Sequence, residues 1–423
     1  MKEMICLFLG AGASFELGMP LVWEFTKEIK RNLTADLFRK KNAEWNRLQL
    51  GFNEESQEIF CSILENENFH YENMFGALET EIKRAKSRNT EISLYGIRTW
   101  FYERIYYLLY FRQINNREYS SKRINLYSGL KSFSSISSPL WIISLNHDVL
   151  LEMIALENKI PIKSGFNEVI NLNFYNRNRI LKSIKFEYLS RTDLIAKKLD
   201  FFRPGEYGIN LIKLHGALDI FAQHDCLDLL KILHQENEKK SILETLKLVN
   251  EELSVKINGI GATNEIIYLD ENKDMQFLRR TLLSGAHKFI DKDSQLAPIE
   301  FIEIFKNNLN YSSLIYSVGY SFSDLHVNKV FIEWLERNSE RKLVIVDPTA
   351  KIPFGFDHLI SQISLERIGA TDFFIRHSEE EIRPSLIKKN RKFKLLLRLR
   401  KMEMLEKLFL FLLKKIESRI SPL

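Results

Sequence analysis

Short apolar runs recur along the chain and predict buried strands. Each run has four or five residues, mostly Ile, Leu, Val and Phe, and ends at polar or glycine residues. The runs are 5–9, 141–145, 210–214, 266–269, 314–318 and 343–346. Uninterrupted apolar runs of this length are typical of parallel strands that are covered on both faces. We therefore predict an α/β fold: a doubly wound, mostly parallel, Rossmann-like sheet with helices on both faces.

Helical periodicity fills the long gaps between these runs. Apolar positions recur at helical spacing over about residues 21–135, which predicts a helical insertion between the first two strands. A second helical insertion, of two segments, is predicted over about residues 225–255. Residues 160–207 are rich in Asn, Lys, Arg and aromatic side chains. They form either a loop over a ligand pocket or an elaboration of the surface.

Positive charge is concentrated at the end of the chain. The formal net charge of the 423 residues is +6, but residues 388–423 contain 12 Lys or Arg and 3 Glu. Leu and Phe at helical spacing between these cations predict a basic amphipathic helix. The domains are thus a main α/β domain over 1–380 and this C-terminal helix over 381–423. We interpret the helix as an oligomerisation or partner-docking element, with nucleic acid or a membrane surface as the alternative.

Cysteine usage and hydropathy exclude several classes of protein. The three cysteines, Cys6, Cys61 and Cys226, contain no CxxC pair, which excludes a four-cysteine zinc module and a disulfide framework. No apolar stretch approaches the roughly 20 residues of a membrane span. A cleaved signal peptide would require cutting through the glycine turn that follows the first strand. We therefore expect a cytoplasmic protein without a membrane partner.

The first apolar run leads into a glycine turn, Gly10-Ala11-Gly12, followed by Ser14. Such a turn lets the backbone approach a pyrophosphate, while the next helix offers unpaired N–H groups and the positive end of its dipole. Turns of this kind are common after strands, so an ordinary tight turn is the alternative. The spacing does not match the GxGxxG of hydride-transfer dehydrogenases, because Phe15 stands where the third glycine would be.

Polar residues stand at the ends of later strands. Asn146 and Asp148 follow the second run, and His215 follows the third. An amide both donates and accepts hydrogen bonds, and the ordinary pKa of histidine lies near neutral pH, so these residue types suit acid–base chemistry. The alternatives are structural. Asn146 and Asp148 could form a turn and a helix N-cap, and His215 could be a buried structural histidine.

The last two strands add further candidates. Gly319 and Ser321 follow the fifth run, and Asp347 follows the sixth. Asp324 and His326 either line the same cleft or cap a helix that begins at residue 325. The sequence has no Walker A motif, no GxSxG elbow and no His/Asp cluster at metal-binding spacing, so no metal is predicted.

Five motifs, in one order, resemble those of the sirtuin family. Residues 10–20, GAGAS-xxx-GMP, resemble its GAG(x)S-xxx-GIP opening, and the strand over 141–145 ends in a loop similar to its TQNxD loop. Residues 211–219 resemble its strand that ends in a catalytic His-Gly, and 314–324 its strand and Gly-x-Ser turn. Asp347 then ends a last buried strand. The resemblance covers about residues 4–350.

Finer details resemble one branch of that family. This chain has a GYSFSD-x-H-x-N motif over 319–328, an LHG-x-LD motif over 214–219 and no zinc-ligand motif. In these features it resembles the sirtuin-like NAD hydrolases of prokaryotic antiphage defence rather than the protein deacylases. The resemblance implies hydrolysis of NAD to nicotinamide and ADP-ribose, which depletes NAD in infected bacteria. It also implies control by assembly, as a homo-oligomer and with a separately encoded partner such as a HerA-like ATPase.

The resemblance also implies roles for individual residues. Asn146 would bind the nicotinamide ribose and position a water, Asp148 would bind the carboxamide, and His215 would act as general base. Contacts to the dinucleotide are expected from Gly10, Ala11, Gly12, Ser14, Gly18, Pro20, Gly319, Ser321, Asp324 and Asp347. His147 departs from the hydrophobic residue usual there. Two alternatives are a noncatalytic NAD or ADP-ribose sensor in a defence complex, and a nucleic-acid-binding assembly subunit that uses the basic helix.

Overall fold

Thirteen strands and thirteen α-helices lie within the residues that the computed structural model describes, namely 4–134, 138–176, 178–223, 228–233, 239–253, 263–282, 300–379, 387–388 and 390. The strands are β1 (Ile5–Leu9), β2 (Leu140–Ser144), β3 (Ile162–Lys163), β4 (Glu168–Tyr175), β5 (Leu181–Leu189), β6 (Ile209–Lys213), β7 (Ile220–Gln223), β8 (Asp228–Ile232), β9 (Glu265–Asp270), β10 (Met275–Arg280), β11 (Leu314–Val318), β12 (Lys342–Val346) and β13 (Ile363–Glu366). The helices are α1 (Ala11–Phe15), α2 (Val22–Asn32), α3 (Ala35–Arg47), α4 (Glu54–Glu65), α5 (Tyr71–Arg84), α6 (Arg88–Asn115), α7 (Arg117–Ser121), α8 (Leu150–Glu157), α9 (Arg191–Ile195), α10 (Lys239–Glu251), α11 (Glu300–Leu309), α12 (Leu325–Glu336) and α13 (Ala370–Arg376).

Seven strands form one parallel sheet in the order β13-β12-β11-β1-β2-β6-β3. β1 is central, and it pairs in parallel with β2 on one side and β11 on the other. The chain builds outward from β1 in one direction and later returns to its other side. The boundary between β1 and β11 is therefore the topological switch point, where open α/β sheets form a crevice. The predicted α/β fold with a parallel sheet is confirmed.

The two faces of β1 explain why the sheet is covered on both sides. Leu7 and Leu9 join the hydrophobic cluster on one face, whereas Cys6 and Phe8 join the cluster on the other. This alternation follows from the two-residue period of a strand. The ring of Phe8 has its centroid 4.9 Å from that of Phe331, in an edge-to-face contact that anchors α12 against the sheet.

The region 21–135 contains helices α2 to α7 and a 3-10 helix over Ile124–Phe133. Local capping explains several of the helix starts. The side chains of Thr34, Asn53 and Ser87 accept hydrogen bonds from backbone N–H groups in the first turns of α3, α4 and α6. Each cap satisfies an N–H group that has no partner within its helix.

A closed antiparallel barrel stands beside the sheet, in the order β10-β7-β8-β5-β4-β9. Its core includes Phe174, Phe186 and Phe221, each with no exposed side-chain surface. The barrel corrects one predicted strand. The run over 266–269 does form a strand, β9, but it belongs to the barrel, because an apolar run of this length fits a barrel core as well as a parallel sheet.

The barrel also corrects the predicted insertion over 225–255. Residues Asp228–Ile232 form β8, because Leu230 and Ile232 are fully buried in the barrel core. Only Lys239–Glu251 is helical in the described part of this segment. Residues 160–207 hold the barrel hairpin of β4 and β5, together with the short edge strand β3, neither of which we predicted.

One prediction, and one of the three cysteines, fall on parts of the chain that the structure does not describe. The basic C-terminal helix lies outside the described residues, apart from 387–388 and 390, and so does Cys226. Within the described ranges, no helix has the length and apolar character needed to cross a bilayer.

A substitution at Gly129 tests the contact that holds α13 against the 3-10 helix. A Cβ atom at this position would lie 1.9 Å from the carbonyl oxygen of Phe374. Overpacking of this kind should lower the free energy of unfolding of Gly129→Ala by about 3 kcal/mol or more, as measured by urea denaturation. The control is Gly205→Ala, which meets open space and bears only the strain of its positive φ of 98°, about 1 kcal/mol. Equal losses in the two variants would contradict this packing.

Candidate active site at the switch point

The carboxyl ends of four neighbouring strands bring most of the predicted residues to one edge of the sheet. Gly10 follows β1, Asn146 follows β2, His215 follows β6 and Gly319 follows β11. Because all four strands are parallel, their ends point the same way. Backbone hydrogen bonds continue beyond the strands, from Leu145 N to the Leu9 oxygen at 3.0 Å.

The glycine turn after β1 packs directly against the turn after β11. Gly12 N donates to the Gly319 carbonyl oxygen at 2.9 Å. A Cβ atom on Gly10 would lie 2.6 Å from that same oxygen, and one on Gly319 would lie 2.4 Å from Ala13 N. We expected the missing side chains to leave a path for a phosphate. Instead, the adjoining turn fills the space, so backbone-to-backbone packing is what requires glycine here.

The amides of this turn are also engaged within the protein. Gly10 N donates to the Val318 oxygen at 3.0 Å, and Ala13 N donates to the Gly10 oxygen at 2.9 Å. With Gly12 N bound to Gly319, three N–H groups of the turn already have partners. In this arrangement these three N–H groups of the glycine turn are used within the protein and are not available to a phosphate.

Asn146 ties the end of β2 to the glycine turn. Its Nδ2 donates to the Gly10 oxygen at 2.9 Å and to Ser14 Oγ at 3.0 Å. Its side chain is half-buried, whereas Ser14 is buried. Asn146, Ser14 and Asp148 line a small cavity of about 20 Å³, which is room for a water molecule.

Asp148 lies in the wall of the same cavity and is buried. Its Oδ1 accepts from Leu150 N at 3.0 Å, so its side chain forms the turn that was weighed as the structural alternative, whereas the N-cap residue of α8 is Val149. Burial raises the pKa of Asp148 above its usual value, while the charge of Lys213 and a hydrogen bond with Ser14 act in the opposite direction.

A buried ion pair that we did not predict supports this cluster. Lys213 Nζ lies 2.7 Å from Glu152 Oε1, with the side chains 3% and 4% exposed. Lys213 also donates to the Asp148 carbonyl oxygen at 2.5 Å. Burial opposes the charge of Lys213, but neighbouring carboxylates, Glu152 first among them, raise the pKa of Lys213 overall. The sequence signal was a lysine inside an otherwise apolar strand and a glutamate within an apolar helix.

His215 forms the second polar cluster of the site. Its Nε2 lies 3.2 Å from Asp324 Oδ2, with the side chains 5% and 10% exposed. Asp324 also caps α12, since its Oδ1 accepts from His326 N at 3.1 Å and Val327 N at 3.4 Å. Asp324 therefore has the helix-cap role, one of the two roles weighed for it, and it also lies beside His215.

Gly216 sets the direction of the chain beyond His215. Its φ is 71°, and a Cβ atom there would lie 1.8 Å from the Thr281 oxygen, directly after β10. The His215 loop is thus wedged between the sheet and the barrel. His147 borders the same loop, because its Nδ1 lies 3.4 Å from the Gly216 oxygen and its ring centroid lies 6.3 Å from that of His215.

The remaining candidates have local partners. The Gly18 oxygen accepts from Arg112 Nε at 3.0 Å and Asn116 Nδ2 at 2.8 Å, and the neighbouring Pro20 is buried. Ser321 is exposed and lies 3.0 Å from Ser323, Oγ to Oγ. The carboxylate of Asp347 closes its own turn by accepting from Thr349 N and Oγ1, both at 2.7 Å. Among the described residues, no group of three or more His, Cys, Asp or Glu could hold a metal ion.

Comparisons with known proteins give distant structural matches only. No family model and no curated protein matches this chain. It is similar to a Sir2 homologue solved with NAD, at 13% identity and a TM-score of 0.39, over 92% of this chain and 90% of that one. It is also similar to a mutant Sir2 homologue solved with ADP-ribose, at 13% identity and a TM-score of 0.37, over 93% of this chain and 94% of that one. Sir2Tm bound to a propionylated peptide is similar at 11% identity and a TM-score of 0.33, over 88% of this chain and 91% of that one. We therefore infer function from the residues of the site itself.

The raised pKa of Asp148 predicts a specific pH dependence of stability. Between the ordinary aspartate pKa of about 3.9 and the raised value, the native state binds more protons than the unfolded state, so stability falls as pH rises through this window. Asparagine does not titrate. The stability of Asp148→Asn relative to wild type should therefore increase from pH 3.5 to pH 7, measured as its free energy of unfolding in urea denaturation.

Asp193 provides the control of opposite sign. A hydrogen bond from Ser190, followed by one from Asn167, lowers the pKa of Asp193. Stability from this carboxylate is present above the ordinary pKa and is lost as pH falls. The free energy of unfolding of Asp193→Asn should thus decrease relative to that of wild type over the same rise in pH. Parallel pH profiles for the two variants would show that Asp148 is not strained by burial.

Proposed function

We propose that this protein hydrolyses NAD at the bond between nicotinamide and ribose, releasing nicotinamide and ADP-ribose. The observation that carries the proposal is the buried pair of His215 and Asp324 at the switch point of a parallel sheet. Ligands of open α/β sheets bind in the crevice at this point. The family resemblance of the same residues in the sequence supports NAD as the ligand.

The chemistry requires a base beside the anomeric carbon. As the bond to nicotinamide breaks, its electron pair leaves with the neutral ring, and the ribose gains oxocarbenium character. Water supplies its oxygen to that carbon and must lose a proton. His215 would accept the proton, from the water or through a ribose hydroxyl, and the carboxylate of Asp324 would orient the imidazole and stabilise its protonated form.

Asn146 and Asp148 would position the substrate. Asn146 is half-buried beside the glycine turn, and its Oδ1 is an acceptor for a ribose hydroxyl or for the attacking water. Asp148 would accept from the carboxamide of nicotinamide. The cavity beside them, about 20 Å³, has room for a water molecule but not for a nicotinamide ring. Productive binding therefore requires this cavity to widen.

The sequence resemblance supports a setting for this activity. NAD depletion in a bacterial cell would serve antiphage defence, in the cytoplasm, with the C-terminal segment over 381–423 as a docking element. Such an activity must be restrained in a healthy cell, which favours control by homo-oligomerisation and by a partner such as a HerA-like ATPase. A monomer that is fully active without any partner would contradict this control.

Nicotinamide release tests the hydrolase directly. Purified protein would be incubated with NAD, alone and with candidate partners, and the products separated by chromatography. His215→Ala should lose about 100-fold or more in rate, since a positioned acid–base group contributes about 10² to 10⁴. Asn146→Ala should also lose activity, because the ribose hydroxyl or the water then lacks its positioning partner. Asp324→Asn should lose activity as well, because the amide cannot balance a protonated imidazole.

A matched control is available in another histidine–carboxylate pair. His358 Nε2 lies 2.8 Å from Glu336 Oε1 on the exposed surface. His358→Ala should retain full activity. Thermal stabilisation by NAD, measured in parallel, reports binding without chemistry. If NAD stabilised the protein but no nicotinamide appeared with any partner, the hydrolase would be ruled out in favour of the noncatalytic sensor.

A further inference from the structure

A basic groove lies away from the His215 site, where the end of α6 and α7 face α10. Its volume is about 700 Å³, within the range of small-molecule sites. Four cationic side chains and one carboxylate contribute to its lining: Arg117, Lys122, Arg123, Lys247 and Glu118. The formal balance of these five groups is therefore +3, whereas residues 1–387 as a whole carry a formal net charge of −3 (+6 for the chain minus +9 for residues 388–423).

Two of these cations, Lys122 and Lys247, have carboxylate partners one helical turn away. Lys122 and Glu118 are 3.7 Å apart, but both side chains are about three-quarters exposed, at 74% and 78%. Lys247 pairs with Glu251 at 3.7 Å, again one helical turn away and half-exposed. Exposed pairs of this kind contribute little and yield readily to a more strongly charged ligand.

Arg123 and Tyr119 add a preorganised wall. The guanidinium carbon of Arg123 lies 3.6 Å from the centroid of the Tyr119 ring, a cation–π contact that fixes the position of the guanidinium. A guanidinium that is already fixed loses less side-chain entropy when it binds the oxygens of a phosphate. Tyr119 is half-buried, so the wall has an aromatic surface next to the charge.

We propose that this groove binds a phosphate-bearing anion of nucleotide size. The volume suits a nucleotide, the spread of four cations suits a polyphosphate, and the stacked wall offers a surface for a base. Nothing in the chemistry of the His215 site requires these residues.

The groove is joined to the turn that follows α1. Asn116 and Ser120, which alternate with the groove residues along α7, bind the Gly18 oxygen at 2.8 Å and the Leu17 oxygen at 2.7 Å. A Cβ atom on Gly18 would lie 3.2 Å from Tyr119 Cδ1, so the groove wall contacts this turn. A ligand that shifts α7 would therefore act on the Gly18 turn, a consequence that rests on the proposed function.

Isothermal titration calorimetry with tripolyphosphate and with ATP tests the site. The background is His215→Ala, so that the result does not depend on NAD hydrolysis. Arg117→Glu and Lys122→Glu should each weaken tripolyphosphate binding at least fivefold. The matched control is Lys329→Glu, because Lys329 is 76% exposed and pairs one turn away with Glu333 at 3.9 Å. It should change the dissociation constant less than twofold.

The outcomes separate the sources of phosphate. Tighter binding of ATP than of tripolyphosphate would place a base against the Arg123 guanidinium that covers Tyr119, and equal binding would assign the site to phosphates alone; both support the proposal. No binding of either probe, or equal weakening by Lys122→Glu and Lys329→Glu, would overturn it. Binding of a single-stranded RNA that tripolyphosphate cannot displace would overturn it too, in favour of a nucleic-acid surface.

Discussion

The backbone contact between the turns after β1 and β11 is the constraint on which the site depends. Gly12 and Gly319 meet so closely that neither turn has space for a side chain, and Gly319 N is tied to the end of β12 through the Val346 oxygen at 2.8 Å. One turn receives Asn146 through the Gly10 oxygen. The other leads through Tyr320 to Asp324, the partner of His215. The two polar clusters are therefore held by a single junction at the switch point.

The barrel bears on the same site from the other side. β6 ends at Lys213 and β7 begins at Ile220, so the His215 loop is one of the connections between sheet and barrel. The loop is flanked by buried charge: Lys213 pairs with Glu152, and in the barrel Lys231 Nζ lies 3.1 Å from Glu187 Oε2. Removing one member of such a pair leaves an uncompensated buried charge, which is strongly destabilising. Rigid supports on both sides of His215 fit a residue that must keep one orientation.

The sequence predicted the parallel sheet because five of its strands are short, mostly apolar runs. It did not predict the barrel. β4 and β5 alternate polar and apolar residues within an Asn- and Lys-rich segment, and β9 has the same pattern as a parallel strand, so only tertiary pairing distinguishes them. For the site, strand-end positions located Asn146, Asp148 and His215. The partnership of His215 with Asp324, some 109 positions later, and the closing of the glycine turn against Gly319 arise from packing that no local pattern records.

The central claim is that NAD is cleaved beside His215. The most direct measurement is a crystal structure of His215→Ala with NAD, since this variant should bind the dinucleotide and leave it intact. We expect the nicotinamide ribose within hydrogen-bonding distance of Asn146 and next to position 215, with the cavity beside Asn146 and Asp148 wider than in the free protein. NAD bound elsewhere, or bound here with its nicotinamide ribose remote from both positions, would contradict the account.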